Sequence, residues 1–200
     1  MFNSFFKSII RKDLLRIFFY NQEKKFYIRE LAKTLNTSAG NVQKELRRLE
    51  DDQIVKSEKY ANLRLFSINK THPLFPEIEI IIYKTIGIDE EIKKELKPLK
   101  GLKFGLIYGS YAKGDFKADS DIDLLLIGTI NENEAIKRIQ KVEKKILREI
   151  HFNLINILEF SAKVMESSFY RELLKYYILV TNNKDEFEKF ITKPGKPGKT

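Results

Sequence analysis

Apolar residues recur through the first third of the chain at the three- and four-residue spacing of helices that bury one face. Over 12–21, Leu14, Leu15, Ile17, Phe18 and Phe19 make a broad apolar side, which predicts a core-facing helix. Ile28, Leu31, Ala32 and Leu35 fall at i, i+3, i+4 and i+7 and predict a second helix over 28–35, with Arg29, Glu30 and Lys33 facing outward. Asn36, Thr37 and Ser38 then supply turn and N-cap chemistry ahead of a third helix, 39–51, whose buried stripe is Val42, Leu46 and Leu49. Two short β-type stretches follow, 54–56 and 64–68, joined by the polar turn 58–62. Three helices and a hairpin predict a winged helix.

His72-Pro73 and Phe75-Pro76 punctuate the chain, and 77–86 is apolar enough for a connecting helix. Beyond a boundary near Gly87 the pattern changes to alternating elements. It predicts a helix over 89–96, a strand over 103–108, a glycine-bearing loop, a strand over 122–127 and a long amphipathic helix over 132–149. A strand over 151–158, a helix over 162–175, a short strand over 177–181 and a closing helix over 185–191 complete the series. The expected architecture is α+β: a winged helix in 1–86, then a domain in 87–192 with a mixed β-sheet flanked by helices. The Pro-, Gly- and Lys-rich tail 193–200 is expected to be disordered.

Composition narrows the chemistry. The chain has 200 residues and no cysteine, which removes disulfides, thiolate metal sites and cysteine nucleophiles together. With His72 and His151 the only histidines, metal chemistry falls to carboxylate oxygens and hard cations. The net charge is +9, and residues 1–86 hold +6 of it, so the first part is the expected polyanion binder. No apolar run reaches the length of a membrane span and the amino terminus lacks a secretory pattern, so a cytoplasmic protein with no membrane partner is expected.

The most informative stretch is GSYAKGDFKADSDID, residues 109–123. Gly109 and Ser110 follow a strand directly, so their backbone N–H groups can approach a phosphate closely and the Ser110 hydroxyl can add a hydrogen bond. Lys113 is a further candidate phosphate contact and Gly114 allows a sharp turn. Ser120 precedes a strand in which Asp121 and Asp123, two residues apart, share a face. Two converging carboxylates beside a phosphate loop suit Mg²⁺ or Mn²⁺ and a nucleoside triphosphate.

A strand, Gly109-Ser110, a second glycine four residues later and then SDIDLLLIG resemble the signature of the DNA polymerase beta-like nucleotidyltransferase superfamily, especially its minimal members. The resemblance spans about 87–192 and implies that Gly109 and Ser110 hold the triphosphate while Asp121 and Asp123 bind metal. VQKELRRLEDDQIV, within the first part, resembles the winged-helix domains fused ahead of such enzymes. The family resemblance also implies a third carboxylate on a neighbouring strand, as metal ligand and general base. Here that strand reads REIHFNLINILE, with His151 or Asn153 at the inward positions and Glu159 at the far end, which leaves Glu149 as the substitute catalytic acid.

The outward residues of the third helix, Asn41, Gln43, Lys44, Arg47 and Arg48, are candidates for the major groove of double-stranded DNA, with Ser38 near a phosphate. Lys59, Asn62 and Arg64 on the wing would track the backbone. The expected function is transfer of a nucleoside monophosphate from an NTP to an unidentified acceptor, coupled to DNA binding. The alternatives are a DNA-binding regulator whose nucleotidyltransferase domain is weak or inactive, and an antitoxin-like protein that acts on a protein partner. The apolar stretch 78–83 offers a surface for a homodimer.

Overall fold

The computed structural model describes residues 8–114, 121–181 and 183–192. Ser120 and the tail 193–200 lie outside the described residues. The chain divides into two compact units, one of Met1–Ile88 with Lys144–Arg148, the other of Asp89–Glu143 with Glu149–Thr200. No helix among the described residues is long and apolar enough to cross a membrane.

The first unit begins with α1 (Ile9–Tyr20), capped by Ser8, whose side chain accepts from the Arg11 backbone N–H. This helix starts three residues before the expected position and buries everything from Asp13 to Tyr20. Its two buried charges pair with each other, Arg16 to Asp13 at 2.8 Å, and the Arg16 Nε also donates to the Ile86 carbonyl. β1 (Phe26–Tyr27), which the periodicity did not predict, leads into α2 (Ile28–Thr34) and α3 (Ala39–Asp51). Asn36 takes a left-handed φ of 49° in the intervening turn, and Ser38 caps α3 by accepting from the Asn41 N–H.

β2 (Val55–Tyr60) and β3 (Leu63–Ile68) form an antiparallel hairpin, with β1 on the other side of β3. The hairpin is longer than expected because Glu58 to Tyr60, expected in the polar turn 58–62, lie on exposed strand. The connection is only Ala61-Asn62, with Ala61 at φ 51°. α4 (Phe75–Ile86) closes the unit, and its buried Ile82 and Ile86 join a core containing Leu14, Phe18, Leu46 and Phe66.

In the second unit α5 (Ile88–Leu96) precedes β4 (Leu102–Tyr108), α6 (Gly109–Lys113), β5 (Ile122–Gly128), α7 (Glu132–Ile146) and β6 (Ile150–Ile155). α8 (Ile157–Glu166), α9 (Ser168–Leu173), β7 (Ile178–Leu179) and α10 (Lys184–Thr192) complete it. The sheet order is β6-β5-β4-β7, with β5 and β6 parallel and the other pairs antiparallel. β5 is central and covered on both faces, which accounts for its unbroken apolar run Leu124 to Ile127. On one face Phe104, Leu106, Leu125, Ile127 and Ile155 pack with Phe160, Leu173 and Phe187 of α8, α9 and α10.

Three expected boundaries move. α7 stops at Ile146 rather than 149, because Leu147 adopts a left-handed φ of 57°. Glu149 therefore does not end the helix: it leads into β6, and its carbonyl accepts from the Ile122 N–H at 3.3 Å. β6 ends at Ile155, since the Asn156 side chain accepts from the Glu159 N–H and starts α8. The single helix expected over 162–175 is two helices broken at Ser167, whose backbone is extended.

Candidate active site

β4 ends at Tyr108, and the chain turns at once through Gly109, φ 75°, into α6. Tyr108 is the register partner of Asp123 on β5, so the Gly109-Ser110 turn and Asp123 come from adjacent strands. The tightness of this corner is visible at Gly109. A Cβ there would lie within 3.6 Å of the Cβ of Asp123 and far inside van der Waals contact of its carboxylate. Lys113 extends from α6 with its Nζ 5.9 Å from the ring centre of Tyr176.

Strand alternation does the rest. Asp121 immediately precedes β5 and lies on the same side as Asp123, while Ile122 and Leu124 are fully buried on the other. On parallel β6, His151 is the register partner of Asp123 and Asn153 that of Leu125. His151 Nδ1 lies 3.7 Å from Asp121 Oδ2. The exposed ligand atoms of Asp121, Glu149 and His151 all lie within 4.8 Å of one another, so this group can hold a divalent cation. Burial raises the carboxyl pKa of Asp123 above its ordinary value; nearby His151 opposes the shift and Asp121 adds to it.

Asn153 supplies no carboxylate, and its side chain donates to the Tyr108 hydroxyl at 3.3 Å. Phe169, half exposed, meets the Tyr108 ring edge to face at 5.8 Å. Tyr108 and Phe169 were not anticipated as neighbours of the carboxylates. The β4–β5 register reveals Tyr108, but no local pattern brings α9 to it. Glu149 reaches the carboxylate cluster from the segment between α7 and β6, and Glu159 lies in the first turn of α8.

In the first unit, Asn41, Gln43, Lys44, Arg47 and Arg48 are all exposed on α3. They are not equally free. Asn41 Nδ2 donates to Thr37 Oγ1, and Arg48 pairs with Glu45 at 3.1 Å. Arg64 donates to both oxygens of Glu50, at 2.7 and 2.8 Å, and to Ser57 Oγ. Ser38 is committed to the cap of α3.

The model of the nucleotidyltransferase domain family matches residues 89–180. A Methanocaldococcus jannaschii protein, named as a putative protein adenylyltransferase, is 29% identical over 98 residues, covering 48% of this chain and 97% of that protein. Among solved structures, a toxin–antitoxin with AMP-PNP is similar at 18% identity and a TM-score of 0.39, covering 53% of this chain and 82% of that chain. One described as a putative nucleotidyltransferase from Sulfolobus solfataricus has 22% identity and a TM-score of 0.26, covering 46% of this chain and 73% of that chain. The corner that joins Gly109, Ser110, Asp121 and Asp123 lies within residues 89–180, the segment that matches the nucleotidyltransferase domain family.

Proposed function

We propose that this domain transfers a nucleoside monophosphate from an NTP, with Mg²⁺ or Mn²⁺, to an acceptor hydroxyl. We propose also that residues 1–86 form a winged helix that binds double-stranded DNA. The observation that carries the first proposal is the shared face of Asp121 and Asp123, set against the Gly109-Ser110 turn. The donor set, carboxylate oxygens beside the Gly109-Ser110 turn, fits a hard divalent cation.

Asp121 and Asp123 would hold the cation, which when bound would supply neutralisation of phosphoryl charge. Gly109 and Ser110 orient the triphosphate through backbone N–H groups and the Ser110 hydroxyl, and Lys113, at the end of α6, and Ser120 contact it. The acceptor oxygen forms a bond to the α-phosphorus as the bond to the bridging oxygen breaks, and pyrophosphate leaves with that electron pair. The hydroxyl proton passes to Glu149, whose carboxylate lies within 4.8 Å of a ligand oxygen of Asp121. The name of the M. jannaschii relative favours adenylyl as the group and a protein side chain as the acceptor.

Transfer of α-labelled nucleotide is the direct test, each of the four NTPs being offered with Mg²⁺ or Mn²⁺ to the protein itself, to RNA and to lysate proteins. Label should appear with the native chain and fall by roughly a hundredfold or more in Asp121→Asn/Asp123→Asn. Absence of label on every acceptor would favour a second function, a DNA-binding regulator. The exposed Lys44 and Arg47 on α3 support that alternative.

A further inference from the structure

We propose that the cation site of this chain takes an imidazole ligand: His151 binds the same divalent ion as Asp121, and shifts the site's preference from Mg²⁺ toward Mn²⁺ and Co²⁺. This rests on the metal-dependent transfer proposed above and specifies the donor set on which it runs.

Register places the imidazole there. β5 and β6 are parallel, and His151 stands opposite Asp123, so its side chain emerges on the carboxylate face one strand away. Asn153, two residues on, shares that face but is a carboxamide turned to the Tyr108 hydroxyl. His151 is thus the β6 side chain beside the two aspartates that offers a ligand atom to a cation.

The distances suit shared coordination better than a hydrogen bond. At 3.7 Å, His151 Nδ1 and Asp121 Oδ2 are too far apart for a good hydrogen bond. Two donors on one cation with bonds of about 2.1 Å sit about 3–4.2 Å apart. Glu149 lies within 4.8 Å of both, beside the ion as a base must, and Asp121 and His151 are exposed enough for small rotations to bring them onto it.

The donor chemistry sets the preference. Mg²⁺ favours an all-oxygen octahedron and parts from water reluctantly. Replacing an expected carboxylate with a neutral imidazole removes a negative charge and adds a nitrogen, which weakens Mg²⁺ binding and favours cations further along the Irving–Williams series. Mn²⁺ and Co²⁺ accept mixed nitrogen and oxygen ligands in the same octahedral geometry.

Pulsed electron paramagnetic resonance of Mn²⁺ bound to the full chain, without nucleotide, reads the ligand directly. Bound Mn²⁺ should show nitrogen modulation from a coordinated imidazole, and His151→Gln should abolish it. Competition titrations should show His151→Gln lowering Mn²⁺ and Co²⁺ affinity by roughly tenfold while Mg²⁺ affinity changes by less than about threefold. His151→Asp, which restores an all-oxygen set, should raise Mg²⁺ affinity and reduce the Mn²⁺-to-Mg²⁺ ratio. His151 is a surface side chain, so circular dichroism should show both variants folded. Bound Mn²⁺ without nitrogen modulation, or equal losses for all three cations in His151→Gln, would overturn the imidazole ligand. Label transfer supported by Mg²⁺ would still stand in that case. Transfer absent with every cation, beside an intact nitrogen signal, would overturn the enzymatic function and leave the metal site.

Discussion

Asp123 fills the space that a side chain on Gly109 would require. Its Cγ lies 3.3 Å, and its Cβ 3.6 Å, from where a Cβ would stand, and Gly109 also has a φ of 75°. Residue 109 is therefore glycine for two independent reasons, a left-handed backbone and contact with a carboxylate. The same contact ties the turn after β4 to the start of β5, the two parts of the proposed site.

Gly109→Ala should consequently act on chemistry as well as on stability. The methyl must push Asp123 aside, and the left-handed backbone costs an alanine about 1 kcal/mol. Label transfer should fall by roughly tenfold or more, with a modest drop in melting temperature. A variant with native transfer would show that the position of Asp123 is unimportant.

Asp123 should itself be a source of strain in the metal-free protein. Burial, with the charge of Asp121, holds its folded pKa above the ordinary 3.8 despite nearby His151. A raised carboxyl pKa means that the folded state binds the proton more tightly than the unfolded chain does. That contribution is complete below pH 3.8 and is lost as pH rises through the folded value. Asp123→Asn should therefore unfold at a higher temperature than the native chain at pH 7 in chelator. The effect should be a few tenths of a kcal/mol, because the group is partly solvated. Mn²⁺ should reverse the ranking by stabilising the native chain, which keeps the Asp123 carboxylate, more than the variant, as thermal melts with and without the ion would show.

On α3, Lys44 and Arg47 are exposed, whereas Arg48 is paired with Glu45 and Arg64 of β3 is held by both oxygens of Glu50. Under the DNA-binding proposal, Lys44→Ala/Arg47→Ala should weaken binding and reduce the salt slope by about one for each lost phosphate contact. Arg64→Ala should change affinity less, since its guanidinium would first have to leave Glu50. Gel-shift titrations across a salt series would check both, and unchanged affinity in the double variant would remove α3 from the interface.

These contrasts mark what the sequence could convey. Spacing alone identified the buried stripe Val42, Leu46 and Leu49 and the pair Asp121 and Asp123, because helix and strand periods are local properties. Gly109-Ser110 was legible for the same reason, as a glycine placed straight after an apolar strand. Tyr108 and Phe169 were not, since edge-to-face packing between β4 and α9 joins residues far apart in the chain. The end of α7 was misplaced because LREI continues a helical pattern through Leu147, and only the left-handed turn there frees Glu149 to reach Asp121. Pairings such as Arg64 with Glu50 likewise depend on strand register, which composition does not encode.

Glu45 shows how such a hidden pairing can be tested. It lies on the buried side of α3 with Leu46 and Leu49, yet it is charged, and Arg11 of α1 donates to it at 2.9 Å while Arg48 donates at 3.1 Å. Burial alone would raise its pKa; the hydrogen bond and charge of Arg11, helped by Ser8 and Arg48, outweigh that and hold it below the ordinary 4.5. A depressed carboxyl pKa stabilises the fold above the unfolded value, and the benefit disappears as pH falls from 4.5 through the folded value. Glu45→Gln should therefore lower unfolding free energy by about 1–2 kcal/mol at pH 7, because it leaves Arg11 and Arg48 without their carboxylate. The difference should shrink steadily as acid protonates Glu45 in the native chain. Urea titrations from pH 7 downward would measure it, and a penalty independent of pH would mean that Glu45 contributes through packing rather than through its charge.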